Sequence, residues 1–107
     1  MDKGGQLSTG FLKIYTNKFD TDTIFCLDLR NRTFGNLGAI SECVNLMYLD
    51  LSNNRIKEIG PILNCKKLQF LKLGKNVISQ IDALKELPEL LFVDLHGNNI
   101  KSTKNLQ

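Results

Sequence analysis

One histidine, His96, supplies all the imidazole in this sequence, and there are only three cysteines, Cys26, Cys43 and Cys65. Each shortage excludes a class of chemistry. No nucleophile recurs beside His96, so no catalytic residue is assigned and the chain is read as not an enzyme. No C-x-x-C pair occurs, and one histidine with three scattered cysteines does not give the spacing of a zinc site, so no metal ligand is assigned. The glycines serve turns and form no phosphate-cradling motif, so no cofactor-binding residue or cofactor is expected. An odd cysteine count without paired spacing argues against a disulfide framework. Apolar runs are short as well. The opening MDKGGQLSTGFLKIY lacks the apolar stretch of a secretory signal, and nothing is long enough to span a membrane. NRT at 31–33 is then read as a chance match to a glycosylation acceptor. The expected setting is intracellular, cytoplasmic or nuclear with the cilium admitted, and the thiols reduced. The formal net charge of +3 is mild and lacks the dense basic patch of a nucleic-acid protein.

What the sequence does have is a period. LMYLDLSNNRI begins at Leu46, LQFLKLGKNVI at Leu68 and LLFVDLHGNNI at Leu90, and a weaker copy, IFCLDLRNRTF, begins at Ile24; the step is 22 residues each time. Such a period marks a solenoid. The apolar columns hold through it: Leu27, Leu49, Leu71 and Val93; Leu29, Leu51, Leu73 and Leu95; Phe34, Ile56, Ile78 and Ile100; Ile40, Ile62, Leu84 and Leu106. A polar column, Asn54, Asn76 and Asn98, runs among them, with Arg32 in the first copy. An asparagine amide carries both an acceptor and donors, so it can satisfy backbone groups buried where a strand turns.

These copies resemble the leucine-rich repeat, L-x-x-L-x-L-x-x-N-x-L, over about residues 24–106. The constant 22-residue length resembles the short intracellular class that includes the protein phosphatase 1 regulatory subunit, the outer-arm dynein light chain and the spliceosomal A-prime protein. The resemblance implies a right-handed α/β solenoid, with parallel strands on the concave face and short helical or 3₁₀ returns on the convex face. It implies a protein–protein interaction module, an adaptor or regulatory subunit. The alternative it leaves open is a structural subunit of a nucleoprotein particle.

Residues 1–22 are expected to give a disordered start (1–5) and an N-terminal helical cap, and 23–107 about four repeats. Leu7, Phe11, Leu12, Tyr15 and Phe19 form the cap's apolar stripe, with Ser8 or Thr9 as N-cap. Inside the repeats, Leu49 and Leu51 point inward by the period-2 rule, and Tyr48, Asp50 and Ser52 outward. The outward columns therefore hold Cys26, Tyr48, Phe70 and Phe92, then Asp28, Asp50, Lys72 and Asp94, then Arg30, Ser52, Gly74 and His96. The position before the first column adds Phe25, Met47, Gln69 and Leu91. Calcium at the acidic column is set aside because Lys72 interrupts it, leaving a solvated face. An aromatic stripe bordered by charge has the composition of a protein-binding surface. Tyr48, Phe70, Phe92, Phe25, Met47, Asp50, Lys72, Asp94 and His96 are the expected partner-binding residues. The last repeat lacks a visible cap, so weak self-association through the C-terminal end is also expected.

Overall fold

The structure, a computed structural model, describes residues 5–101. Four strands of three residues form one parallel sheet: β2 (Cys26–Asp28), β4 (Tyr48–Asp50), β5 (Phe70–Lys72) and β6 (Phe92–Asp94), in the order β2-β4-β5-β6. The register repeats the sequence period. Cys26 pairs with Tyr48, Tyr48 with Phe70, and Phe70 with Phe92. The middle residue of each strand turns inward, and Leu27, Leu49 and Leu71 are buried.

The opposite side of each of the first three coils is a five-residue 3₁₀ turn, at Gly38–Glu42, Gly60–Asn64 and Asp82–Glu86; the fourth return, with Leu106, lies outside the described residues. Each return is closed in the same way. The N–H of Cys43, Cys65 or Leu87 donates to the carbonyl of Ile40, Ile62 or Leu84, at 3.0, 2.9 and 3.1 Å. The carbonyls of Cys43, Cys65 and Leu87 then accept from Leu46, Leu68 and Leu90, which starts the next strand. Five-residue runs suit 3₁₀ geometry, whose poorer hydrogen bonds rarely extend further. Between strands and returns lies one continuous core, in which Leu29, Leu51 and Leu73, and Ile56 and Ile78, are fully buried.

Where each strand bends away from the sheet, the asparagine column takes over the hydrogen bonding. Asn54 Oδ1 accepts from the N–H groups of Arg32 and Phe34, at 3.1 and 2.9 Å, while its Nδ2 donates to the carbonyls of Leu29 and Leu51, at 2.9 and 2.8 Å. Asn76 does the same between the second and third copies, through Ile56 N–H and the Leu51 and Leu73 carbonyls. Asn98 continues it with Ile78 N–H and the Leu73 and Leu95 carbonyls. Each amide ties its own coil to the one before it. This direction explains Arg32: no copy precedes the first, so its position has no earlier backbone to satisfy. Its guanidinium instead lies 4.6 Å from the ring centroid of Tyr15 and 5.8 Å from that of Phe11, which fastens the cap.

The residue before each of these positions is left-handed. Asn31, Asn53, Lys75 and Gly97 have φ of 60°, 59°, 57° and 71°. Asparagine and glycine take this conformation readily. Gly97 is doubly required, since an added Cβ would also lie 3.3 Å from the Lys75 backbone.

The N-terminal cap is shorter and more mixed than its apolar stripe suggests. Residues 1–4, most of the expected disordered start, lie outside the described residues. Gly5 and Gln6 form a strand, β1 (Gly5–Gln6), parallel to β3 (Phe34–Asn36). Helix α1 (Thr9–Thr16) follows, with Ser8 as N-cap: its hydroxyl accepts from Phe11 N–H at 3.1 Å. Leu7 and Leu12 are fully buried against the first coil, and Phe11 stacks on Tyr15 and meets Phe34 edge-on. The helix ends at the left-handed Asn17. Phe19 therefore falls beyond it and is exposed, with Lys13 over its ring, rather than closing the core. At the other end, the inward column opens: Val93 is exposed where Leu71 is buried.

The asparagine column yields a stability prediction. Asn76→Ala would leave the buried Ile56 N–H without a partner and take one of two donors from the carbonyls of Leu51, Leu73 and Gly74, and is expected to cost at least about 2 kcal/mol. That corresponds to a fall in melting temperature on the order of 10 °C for a domain of this size. Asn99→Ala, at the exposed neighbour of the last ladder asparagine, is expected to leave the melting temperature nearly unchanged. Thermal unfolding of both variants by circular dichroism checks the contrast, and equal shifts would contradict the ladder.

Candidate functional site

The concave sheet brings three side-chain columns to one surface. The first contains Cys26, Tyr48, Phe70 and Phe92, aligned by the strand register. Phe70 and Phe92 are 40% and 46% exposed, and Tyr48 is half-buried. The position before each strand adds Phe25, Met47 and Leu91, all exposed. Strands only three residues long set this arrangement, because the chain can show few outward residues before it bends. The stripe therefore runs across the strands, from β2 to β6.

The second column departs from the expected solvated acidic face. Asp50 leaves the outward side of β4, yet it is only 3% exposed. Its Oδ1 accepts from Ser52 N–H at 3.0 Å, and its other oxygen lies 3.6 Å from Arg30 Nε. The same bond recurs in two other copies, where Asp28 accepts from Arg30 N–H at 3.2 Å and Asp94 from His96 N–H at 3.1 Å. These carboxylates brace the first bend of the turn by bonding their own backbone two residues on, an ordinary use of aspartate. Asp50 is thus a structural residue covered by its neighbours, not an accessible contact. The D-L-R, D-L-S and D-L-H triplets carried that signal, a carboxylate two residues before each turn.

The ion pairs on this face follow the same spacing. Arg30 Nη2 sits 2.9 Å from Asp28 Oδ2, and that hydrogen bond holds the Asp28 carboxyl below its ordinary range. Asp94 is lowered chiefly by its hydrogen bond with the His96 ring, whose Nδ1 lies 2.8 Å away. Both pairs are substantially exposed, so their contribution to stability is small. His96 is exposed and its ring lies over Gly74, where any Cβ would overlap the imidazole. Lys72 is half-buried between Asp50 and Asp94 in register. Among the described residues, no three His, Cys, Asp or Glu side chains converge as metal ligands would.

The cysteines divide by environment. Cys26 is exposed on β2, while Cys43 and Cys65 are buried in the return column, and all three are free thiols. Burial pushes Cys43 up to about 11 and Cys65 up to about 12, from an ordinary 9.0. The Cys65 sulfur also lies 3.5 Å from the Ile40 carbonyl.

Comparison with known proteins agrees with this geometry. Residues 44–86 match the family described as Leucine Rich repeats (2 copies). An internalin (inlF) from Listeria monocytogenes superposes with a TM-score of 0.79 and 27% identity, over 87% of this chain and 30% of that one. The fold is a leucine-rich repeat solenoid. An internalin C2 (inlC2) from the same organism gives a TM-score of 0.61 and 27% identity, over 79% of this chain and 47% of that one. The chain spans less than half the length of either. No curated protein matches it. In leucine-rich repeat terms, the aromatic stripe lies on the concave strand face and the buried cysteines in the convex returns.

The thiols predict an alkaline limit. Both buried groups are favoured in their neutral form by the fold. Their stabilising contribution is therefore complete below pH 9 and is lost as pH rises through about 11 and 12. Native protein near pH 8 treated with iodoacetamide is expected to be labelled at Cys26 first, with Cys43 and Cys65 reacting only on unfolding. Mass spectrometry reads the order, and early labelling of Cys43 or Cys65 would contradict their burial.

Proposed function

We propose that this chain is a protein–protein interaction module, an adaptor or regulatory subunit, that binds a protein partner on its concave face. The observation that carries this reading is the exposed row of Phe25, Met47, Phe70, Leu91 and Phe92, with Tyr48 set among them. Each aromatic side chain offers about 150–250 Å² of surface. Several side by side approach the roughly 300–600 Å² that is the largest apolar patch on an ordinary monomer. Arg30, Lys72, Asp94 and His96 border the row and supply the polar rim of a binding patch. Asp50, being covered, holds the surface in shape and is left out of the contact set.

We read the short 22-residue class, and a resemblance of residues 7–30 and 37–54 to leucine-rich repeat-containing protein 61, as pointing to an intracellular adaptor, in the cytoplasm, nucleus or cilium. Phosphatase regulation, dynein association and splicing are the roles the resemblance offers. Exposed Leu91, Phe92 and Val93 also support weak self-association through the last coil.

The test compares three proteins in a pull-down followed by affinity measurement with the recovered partner. The triple variant Tyr48→Ala, Phe70→Ala, Phe92→Ala is expected to weaken binding by about 100-fold or more, because aromatic anchors at the centre of a patch dominate affinity. Lys66→Ala with Lys67→Ala, on the convex side, is expected to bind as the wild type does. Undiminished binding by the triple variant, with its fold intact by circular dichroism, would overturn the reading.

A further inference from the structure

β2 is the N-terminal edge strand of the four-stranded sheet. Phe25 C=O accepts from the N–H groups of Met47 and Tyr48, and Leu29 N–H donates to Asp50 C=O. Residues 25, 27 and 29 therefore turn their backbone toward β4. Successive residues of a strand direct their amide groups to alternate edges, so Cys26 and Asp28 turn theirs the other way. One of those groups is occupied: Asp28 C=O accepts from the Tyr15 hydroxyl at 2.6 Å. The N–H and C=O of Cys26 and the N–H of Asp28 have no partner among the described residues and aim at the open side.

That side is a groove of about 580 Å³, with residues 24–28 as one wall and Tyr15, Thr16 and Lys18 among those forming the other. Natural sheets normally cover, charge or bend away such an edge. Here the cap covers the core beneath, through Leu7 and Leu12, but leaves a channel along the strand itself. Of the two charged residues lining it, Asp28 is paired with Arg30, and Lys18 has no carboxylate partner among the described residues.

We propose that this groove takes an extended peptide from another protein, added to β2 as a fifth strand, with an acidic side chain set against Lys18. The backbone groups of Cys26 and Asp28 supply affinity without regard to sequence, as in other cases of strand addition. Lys18 supplies the charge preference. A second copy of this chain fits less well. Its own β2 is flanked by its own Tyr15 and Lys18, and two such walls would hold the strands apart beyond the ~4.8 Å that pairing needs. The site stands apart from the aromatic stripe, although Phe25 and Cys26 lie at the junction of the two.

Titration of isotope-labelled full-length protein with a capped hexapeptide, TVEVTV, tests the proposal by amide spectra and hydrogen exchange. The amides of Cys26 and Asp28 are expected to shift and gain protection, with Phe70 and Phe92 unmoved. The charge-reversed TVKVTV is expected to bind about two- to fivefold more weakly, and Lys18→Glu to reverse that order. A fully N-methylated TVEVTV, which cannot donate from its backbone, is expected not to bind. Phe70→Ala is expected to bind TVEVTV as the wild type does, which separates this site from the concave-face reading. Shifts confined to Tyr48, Phe70 and Phe92, equal binding of the N-methylated form, or no change at β2 at millimolar peptide would each overturn the proposal. Protection of Cys26 and Asp28 that grows with protein concentration alone would overturn it too, since the occupant would then be a second copy.

Discussion

Backbone amides buried at a bend must find partners, and the rest of this structure depends on how that requirement is met. A strand of three residues that turns sharply leaves N–H and C=O groups behind the sheet, out of reach of water. Left unpaired, each costs about 1–3 kcal/mol. One asparagine in each coil after the first meets the demand by bonding its own coil and the preceding one. Because each amide spans two coils, neighbouring coils are held at a fixed register. The same register aligns the strands, buries the leucine columns and sets the outward columns side by side. The exposed aromatic row is thus a by-product of the buried ladder on the other side of the bend.

The two ends of the stack show what happens where that device has no neighbour to serve. At the first coil the ladder position is released, and Arg32 uses it to hold the Phe11–Tyr15 stack of the cap. At the last coil Asn98 still bonds backward, but Val93 and the residues around it stay open. The cap closes the apolar end of the core through Leu7 and Leu12 and, among the described residues, hydrogen-bonds the edge strand through one hydroxyl, that of Tyr15. Closing a core and closing a sheet edge are separate tasks, and this cap completes only the first.

The repeat columns were legible in the sequence because burial is enforced at every copy. Leu49, Leu51, Ile56 and Asn54 are each repeated at the same spacing under the same constraint, so the pattern reveals the fold. The outward columns were legible only as directions. Alternation says which side a residue leaves, not what lies over it. Asp50 leaves the outward side as expected, but Arg30 and the Ser52 amide close around it. His96 over Gly74 was hidden for the same reason, since the contact joins residues 22 positions apart through a missing side chain. The cap's apolar spacing gives one helical stripe, and the helix end at Asn17 depends on a left-handed asparagine that this spacing does not report. The β1–β3 pairing had no signal at all in a two-residue strand.

Native-state hydrogen exchange tests the central claim most directly, that the asparagine amides hold the coils in register. The N–H groups of Phe34, Ile56 and Ile78 bond to the side-chain oxygens of Asn54, Asn76 and Asn98 rather than to other backbone. If the asparagines hold the register, these three amides exchange as slowly as that of the buried strand residue Leu49. Exchange at Phe34, Ile56 and Ile78 as fast as at the exposed turn residue Lys57 would contradict it.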